Sequence, residues 1–164
     1  MFYFDILEAL SNNRIKYLIV GGLAVNLHNV PRMTNGLDLI LSMDKDNLIN
    51  FVNVMNELGY IPRLPVNPEL IADSKVLKNW IEQKNMKAFS FYHNKNNYQV
   101  VDIVLVHPLN FEESYRNRKE KKLKDFTITI ISIDDLIKMK KYSGRTQDLN
   151  DIEMLFNIKK IFNE

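Results

Sequence analysis

The 164 residues contain no cysteine, which excludes disulfide bonds and thiolate metal sites and suits a reducing compartment. No apolar run approaches the roughly 20 residues of a membrane span. The opening residues, Met1 to Asp5, lack the basic start and long apolar centre of a secretion signal. A soluble cytoplasmic protein without a membrane partner is therefore expected. A surplus of one charge is lacking too: 22 basic and 20 acidic residues leave a formal +2, too balanced to imply nucleic-acid binding by charge alone. Internal repeats, low-complexity tracts and linker-like stretches are also missing. The length then predicts one domain over residues 1–164, with residues 132–164 as its C-terminal helical part.

What is present reads as an alternation of helices and strands. Phe2, Ile6, Leu7 and Leu10 recur at helical spacing over residues 2–12, and Asn12-Asn13 ends that helix. Tyr17 to Val20 is a continuous apolar strand stopped by Gly21-Gly22, and Leu23 to Asn29 is a short helix that Pro31 cannot prolong. Gly36 leads into a strand from Leu37 to Ser42. Asp44 or Lys45 to Leu58 is the clearest helix, with Leu48, Phe51, Val52, Met55 and Leu58 on one stripe and Gly59 at its end. A loop with Pro62, Pro65 and Pro68 precedes one or two helices over Glu69–Gln83, where a packed Trp80 among surface charges (Glu82, Lys84) is expected rather than a ligand wall. Ala88–His93 and Tyr98–Val106 read as a hairpin of antiparallel strands, which makes the sheet mixed. A helix over Phe111–Arg118, a β-branched strand over Phe126–Ile131, a helix opened by Ser132-Ile133-Asp134-Asp135 and broken at Ser143-Gly144, and a closing helix from Gln147 to Phe162 complete the chain. The class is α/β, a mixed β-sheet flanked by helices, with helices at the C-terminus.

Two carboxylates stand out. Asp38 lies among Leu37, Leu39, Ile40 and Leu41, and Asp102 among Val100, Val101, Ile103, Val104 and Leu105. An ionised group on an apolar strand is costly unless it is paired or holds a metal. Two such residues on neighbouring strands point to a shared Mg²⁺, a cation that takes oxygen ligands; strand-end aspartates satisfied by caps or cations are the plain alternative. Gly21-Gly22, between a strand and a helix, either lets the backbone approach a phosphate or simply makes a tight turn. Arg32 suits a phosphate clamp because guanidinium matches phosphate oxygens two at a time, or it is a solvated loop residue; His28 is a candidate or a cap. Lys140 either reaches a triphosphate or belongs to a structural pair. Asp148 and Asp151 read as a salt-bridged face near the start of the last helix. The basic run Arg116–Lys124 reads as a solvated face, with tRNA or another polyanion as the other reading.

Taken together, Leu18-Ile19-Val20-Gly21-Gly22-Leu23-Ala24, His28, Arg32, Thr34, Asp38-Leu39, Val101-Asp102-Ile103 and the ending Asp135-Leu136-Ile137, Lys140, Gly144-Arg145, Asp148, Asp151-Ile152 resemble the minimal nucleotidyltransferases. The nearest branch is that of the AbiEii-type proteins of bacterial toxin–antitoxin systems. The resemblance implies a nucleotidyltransferase-like fold and Mg²⁺-dependent transfer of NMP from a nucleoside triphosphate to a hydroxyl of a tRNA, a protein or a small molecule. It implies that Asp38 and Asp102 are catalytic metal ligands, and that Gly21, Gly22, Arg32, Thr34 and Lys140 bind the nucleotide. A cognate toxin or antitoxin protein is the partner it implies. One departure is plain: Gly36 stands where the family carries the first of three carboxylates. Two carboxylates are expected to hold one Mg²⁺ with the nucleotide's own phosphates and to bind a second ion poorly. The alternative to an enzyme is a catalytically degenerate fold that binds nucleotide or a partner.

Overall fold

The computed structural model describes residues 3–162. Seven strands form one mixed sheet: β1 (Tyr17–Val20), β2 (Leu37–Leu41), β3 (Tyr60–Pro62), β4 (Ala88–His93), β5 (Val100–Val104), β6 (Lys119–Leu123) and β7 (Phe126–Ile130). Their spatial order is β3-β4-β5-β2-β1-β7-β6. The predicted hairpin is present, β4 running antiparallel to β5. Two parallel pairings, β2 with β5 and β1 with β7, make the sheet mixed, as the sequence leads one to expect. Among the described residues seven α-helices surround it: α1 (Tyr3–Asn12), α2 (Gly21–Leu27), α3 (Lys45–Glu57), α4 (Ser74–Gln83), α5 (Phe111–Arg116), α6 (Ile133–Ser143) and α7 (Thr146–Phe162), with a short 3-10 helix at Pro68–Ala72 ahead of α4. No helix among the described residues is long and apolar enough to cross a membrane.

Local chemistry explains most boundaries. Ile6, Leu7 and Leu10 are the buried stripe of α1, as the spacing predicts; Phe2 lies outside the described residues. α2 begins at Gly21, two residues earlier than its apolar residues suggest, so the diglycine is the first turn of the helix itself. Ser132 accepts a hydrogen bond from the Asp135 backbone N–H at 3.2 Å, the cap predicted for α6, and Gly144 closes that helix in the left-handed region at φ 66°. Asp73 caps α4 by accepting from the N–H groups of Lys75 and Val76. Two strands depart from the reading. β3, read as loop, is a three-residue edge that ends in Pro62, where a missing N–H costs no ladder bond. β6, read as a solvated basic face, is indeed exposed but is the other edge strand, paired only with β7.

Leu18, Ile19, Leu37, Leu39, Ile40, Val101 and Ile103 are fully buried, so the central strands form the middle of the core. Trp80 is buried as expected and stacks on Phe89 with ring centroids 5.7 Å apart and planes 9° apart. His28 is structural rather than part of a site: it is 1% exposed, and its Nε2 donates to the Ile131 carbonyl at 2.7 Å, tying α2 to the end of β7. Replacing it orphans a buried carbonyl and opens a void. His28→Ala is expected to lower stability by about 2–4 kcal/mol in urea unfolding, with nucleotide binding by the folded fraction unchanged. A stable variant that has lost nucleotide binding would return His28 to the functional residues.

Candidate active site

The middle of the sheet places the two singled-out carboxylates side by side. In the parallel β2–β5 pairing Asp38 is the register partner of Asp102, so both occupy one face of adjacent strands about 4.8 Å apart. Ser90, the partner of Asp102 on β4, donates its hydroxyl to Asp102 Oδ1 at 2.5 Å and fixes that carboxylate. Asp38 is paired on its other side with Val20, the last residue of β1, so the diglycine follows immediately beside it. Gly21 has φ +68°, and a Cβ there would collide with Asp38 Oδ2. Glycine is thus required twice, for its backbone conformation and for the closeness of the carboxylate. A Cβ on Gly22 would lie 2.9 Å from Thr34 Oγ1 and 3.3 Å from an Arg32 guanidinium nitrogen. The turn, Thr34, Arg32 and Asp38 therefore interlock.

These residues line a strongly polar cleft of about 510 Å³ together with Gly36, Asp102, Lys140 and Arg145. Of the predicted site residues, Asp38, Asp102, Gly21, Gly22, Arg32, Thr34 and Lys140 all meet there. Arg63, Tyr98 and Gln147 also line it and carry no signal in the sequence, since they sit on exposed loops or a helix start without periodicity. Glu82 does not reach it; it lines a separate hollow between α3 and α4.

Charge is arranged in two layers. Next to the carboxylate pair stand the cations Arg32, Lys140 and Arg145; behind them stand Asp148 and Asp151 from α7. Lys140 Nζ lies 2.9 Å from Asp151 Oδ2 and 3.4 Å from Asp148 Oδ1, with its side chain 6% exposed. Arg32 pairs with Asp151 at 2.9 Å, and Arg145 grips Asp148 through Nε and a second guanidinium nitrogen at 2.9 and 3.3 Å. The salt-bridged face expected on the last helix exists, but it is buried: Asp148 is 0% exposed and Asp151 6%. Burial pushes the Asp148 carboxyl up, yet hydrogen bonds from Arg145 and Ser143 and the charge of Lys140 outweigh it and hold it at about 2. Asp38 behaves oppositely. Burial, and then the neighbouring Asp102, push its carboxyl up to about 6 against the pull of Lys140, Arg145 and Arg32.

Chemically, the carboxylate pair offers oxygen donors to one hard cation, and the surrounding guanidinium, ammonium and backbone N–H groups offer donors to phosphate. Among the described residues no group of three or more acidic or histidine side chains is placed to hold a metal. Gly36 lies two residues before Asp38, bordering the same cleft, and contributes no ligand atom.

Solved structures share this architecture. The chain aligns over 94% of its length, and 94% of the other, with the lincosamide antibiotic adenylyltransferase LnuA in its lincomycin-bound form, at TM-score 0.60 and 18% identity. ANT(2")-Ia in complex with adenylyl-2"-tobramycin aligns over 99% of this chain and 95% of its own, at TM-score 0.56 and 12% identity. An antigenic nucleotidyltransferase-like protein from Paracoccidioides brasiliensis aligns over 95% of this chain and 72% of its own, at TM-score 0.53 and 13% identity. Such likenesses establish the fold. No protein of curated function is significantly similar in sequence. The sequence matches, over residues 4–161, the family described as nucleotidyltransferase of unknown function (DUF6036), and the chain belongs to that family.

Proposed function

We propose that the protein is a Mg²⁺-dependent nucleotidyltransferase that moves NMP from a nucleoside triphosphate to a hydroxyl acceptor. The observation that carries this reading is the register pairing of Asp38 with Asp102 against Gly21, within a cleft also bordered by Arg32, Lys140 and Arg145. In the transfer, the acceptor oxygen forms a bond to the α-phosphorus while the bond to the bridging oxygen of the β-phosphate breaks and pyrophosphate leaves. Asp102, oriented by Ser90, takes the hydroxyl proton. Arg32, Thr34 and the diglycine turn hold the triphosphate, and Lys140 and Arg145 face its growing negative charge. Asp38 and Asp102 fit one Mg²⁺: they are oxygen donors, and the rise of the Asp38 carboxyl to about 6 marks a carboxylate in want of positive charge. When bound, the ion neutralises the reacting phosphate oxygens and orients them.

The acceptor in this reading is a tRNA, a protein or a small molecule. The two solved relatives that carry antibiotics, a lincosamide and an adenylylated aminoglycoside, support the small molecule. The sequence motifs favour the AbiEii-type branch, and with it a bacterial toxin–antitoxin pair having a cognate protein partner. A single domain over 1–164, with 132–164 as its helical part, is the organisation we assign, because α7 supplies Asp148 and Asp151 to the cations of the cleft. A second reading, a nucleotide-binding module without chemistry, is favoured by one observation: the carboxylates that border the cleft are two, Asp38 and Asp102, with Gly36 beside them.

Label transfer separates the two readings. With α-labelled NTPs and Mg²⁺, the wild type is expected to label an acceptor in cell extract, and Asp38→Ala and Asp102→Ala each to reduce the rate about 10³-fold or more, the scale of losing transition-state charge stabilisation. Nucleotide binding without labelling by any NTP decides for the module. Restoring the missing ligand is the converse experiment. A Cβ at Gly36 meets only the Val100 carbonyl, at 3.3 Å, so Gly36→Asp is expected to fold and to raise Mg²⁺ affinity about tenfold or more in calorimetry, as ligand charge count dictates. Unchanged affinity would place residue 36 outside the metal site.

The raised Asp38 carboxyl has a thermodynamic signature. A carboxyl raised in the folded state favours folding when protonated, and that contribution is lost as pH climbs through about 6. Asp38→Asn is therefore expected to melt at a higher temperature than the metal-free wild type at pH 8, with the difference shrinking below about pH 6 and vanishing only below about pH 4, the ordinary carboxyl range. A pH-independent difference would mean that the Asp38 carboxyl is not raised.

A further inference from the structure

A second cavity, of about 590 Å³, borders the first and shares Gly21, Asp38, Lys140 and Arg145 with it. It is the larger and more apolar of the two, and its size is that of sites which enclose a small ligand. Its two walls face each other across the sheet–helix gap. One is strand: Ala88 and its cross-strand partner Val104, with Val106 beyond. The other is the α6 surface carrying Leu136 and Met139, with Tyr142 one turn on. Resting on the function proposed above, we infer that this slot is the nucleoside subsite of the donor triphosphate, and that it prefers a base with carbonyl oxygens on its edge, guanine or uracil.

The assignment follows from what each cavity can hold. Asp102, Arg32, Arg63 and the second glycine of the turn border only the polar cleft. The leaving pyrophosphate, a polyanion, and the acceptor hydroxyl whose proton Asp102 takes therefore both belong there. Asp38 stands at the junction, where the α-phosphate must lie. The nucleoside then occupies the remaining space, and its character matches: flat apolar faces between aliphatic and sulfur side chains, polar groups at the rim. Base faces and apolar side chains gain contact sequence-independently, so these walls supply affinity and the rim supplies choice.

The rim carries Lys87 and His107. His107 Nδ1 accepts the Leu109 backbone N–H at 3.2 Å, so in the neutral ring the proton sits on Nε2. Burial lowers the pKa of this imidazole, which keeps it neutral near pH 7. Both rim groups are then hydrogen-bond donors. Guanine O6 and N7 or uracil O4 accept from them, whereas adenine offers N7 beside a donor amino group and cytosine a donor amino group, so one rim donor is opposed.

The test is calorimetry on the full chain with Mg²⁺, using tripolyphosphate and the four NTPs as probes. All four NTPs are expected to bind more tightly than tripolyphosphate, and GTP and UTP about tenfold more tightly than ATP and CTP, the scale of one well-placed hydrogen bond. Met139→Trp fills the slot and is expected to reduce every NTP to the tripolyphosphate level while leaving tripolyphosphate itself unchanged. Val106→Phe, from the opposite wall, is expected to do the same and covers the case in which the first variant does not fold. His107→Gln and Lys87→Gln, which add an acceptor at the rim, are expected to shrink the base preference without weakening tripolyphosphate. NTPs that bind no more tightly than tripolyphosphate, or that ignore both filled-slot variants, overturn the nucleoside subsite; equal binding of all four NTPs, with sensitivity to those variants, overturns the base preference. Failure of tripolyphosphate and all NTPs to bind would overturn the donor cleft itself, a result distinct from either.

Discussion

The pairing of two like charges in one register position is the constraint around which this molecule is built. Backbone hydrogen bonding between β2 and β5 fixes Asp38 beside Asp102, and the ladder cannot slip by one residue without turning the apolar neighbours of both aspartates out of the core. Leu37, Leu39, Val101 and Ile103 are each 0% exposed, so hydrophobic burial enforces an electrostatic repulsion. A fold tolerates such an arrangement when something nearby, or something bound, carries the opposite charge. Here Lys140, Arg145 and Arg32 provide part of it, and a cation with its phosphate ligand would provide the rest. The strain at Asp38 is local and specific, the form that perturbed groups take where chemistry is done.

The C-terminal helices matter for the same reason. Three cations gathered round one cleft repel one another, and left alone would turn to solvent. Asp148 and Asp151 hold them: one carboxylate spans Arg145 and Lys140, the other Lys140 and Arg32. Since Arg32 comes from the loop before β2, this lattice also ties the far end of the chain to the diglycine turn. Preorganised cations need little reorganisation when negative charge develops. The desolvation cost of burying Lys140 and most of Arg32 is accordingly met in folding, while the Arg145 side chain stays largely exposed.

What could be read from the sequence, and what could not, divides along the same physical line. Asp38 and Asp102 were legible as neighbours because a carboxylate inside an apolar run needs a partner, a cap or an ion, and Gly21-Gly22 because a strand stopped by two glycines needs a reason. The central strands and the caps at Ser132 and Gly144 followed from periodicity and capping chemistry. β6 did not, because Lys119, Glu120, Lys121 and Lys122 are all exposed; a strand paired on one side and buried on neither has no apolar alternation to betray it. β3 hid behind its proline. Asp148 and Asp151 read as surface charge because aspartates are common at helix starts. Their burial depends on cations from α6 and from the loop before β2, a long-range fact that no local window contains.

Under the proposed reading, Gly36 carries the remaining tension between the nucleotidyltransferase fold and a cleft with two carboxylates. Alternation along β2 puts residue 36 on the same face as Asp38, bordering the cleft, with no backbone conformation that demands glycine: its φ is not in the positive range, unlike that of Gly21. A Cβ there would meet the Val100 carbonyl oxygen at 3.3 Å, a tight contact that needs a small shift of its neighbour, and glycine brings no carboxylate. In this position it lacks charge, and the gain is electrostatic: a third carboxylate next to the Asp38–Asp102 pair would push the Asp38 carboxyl up further and raise the cost of the unoccupied site. With Asp148 and Asp151 included, four carboxylates share three cations before any ligand arrives. Under the proposed reading, the shortfall of positive charge is what a cation entering with the phosphates of a nucleotide would make up.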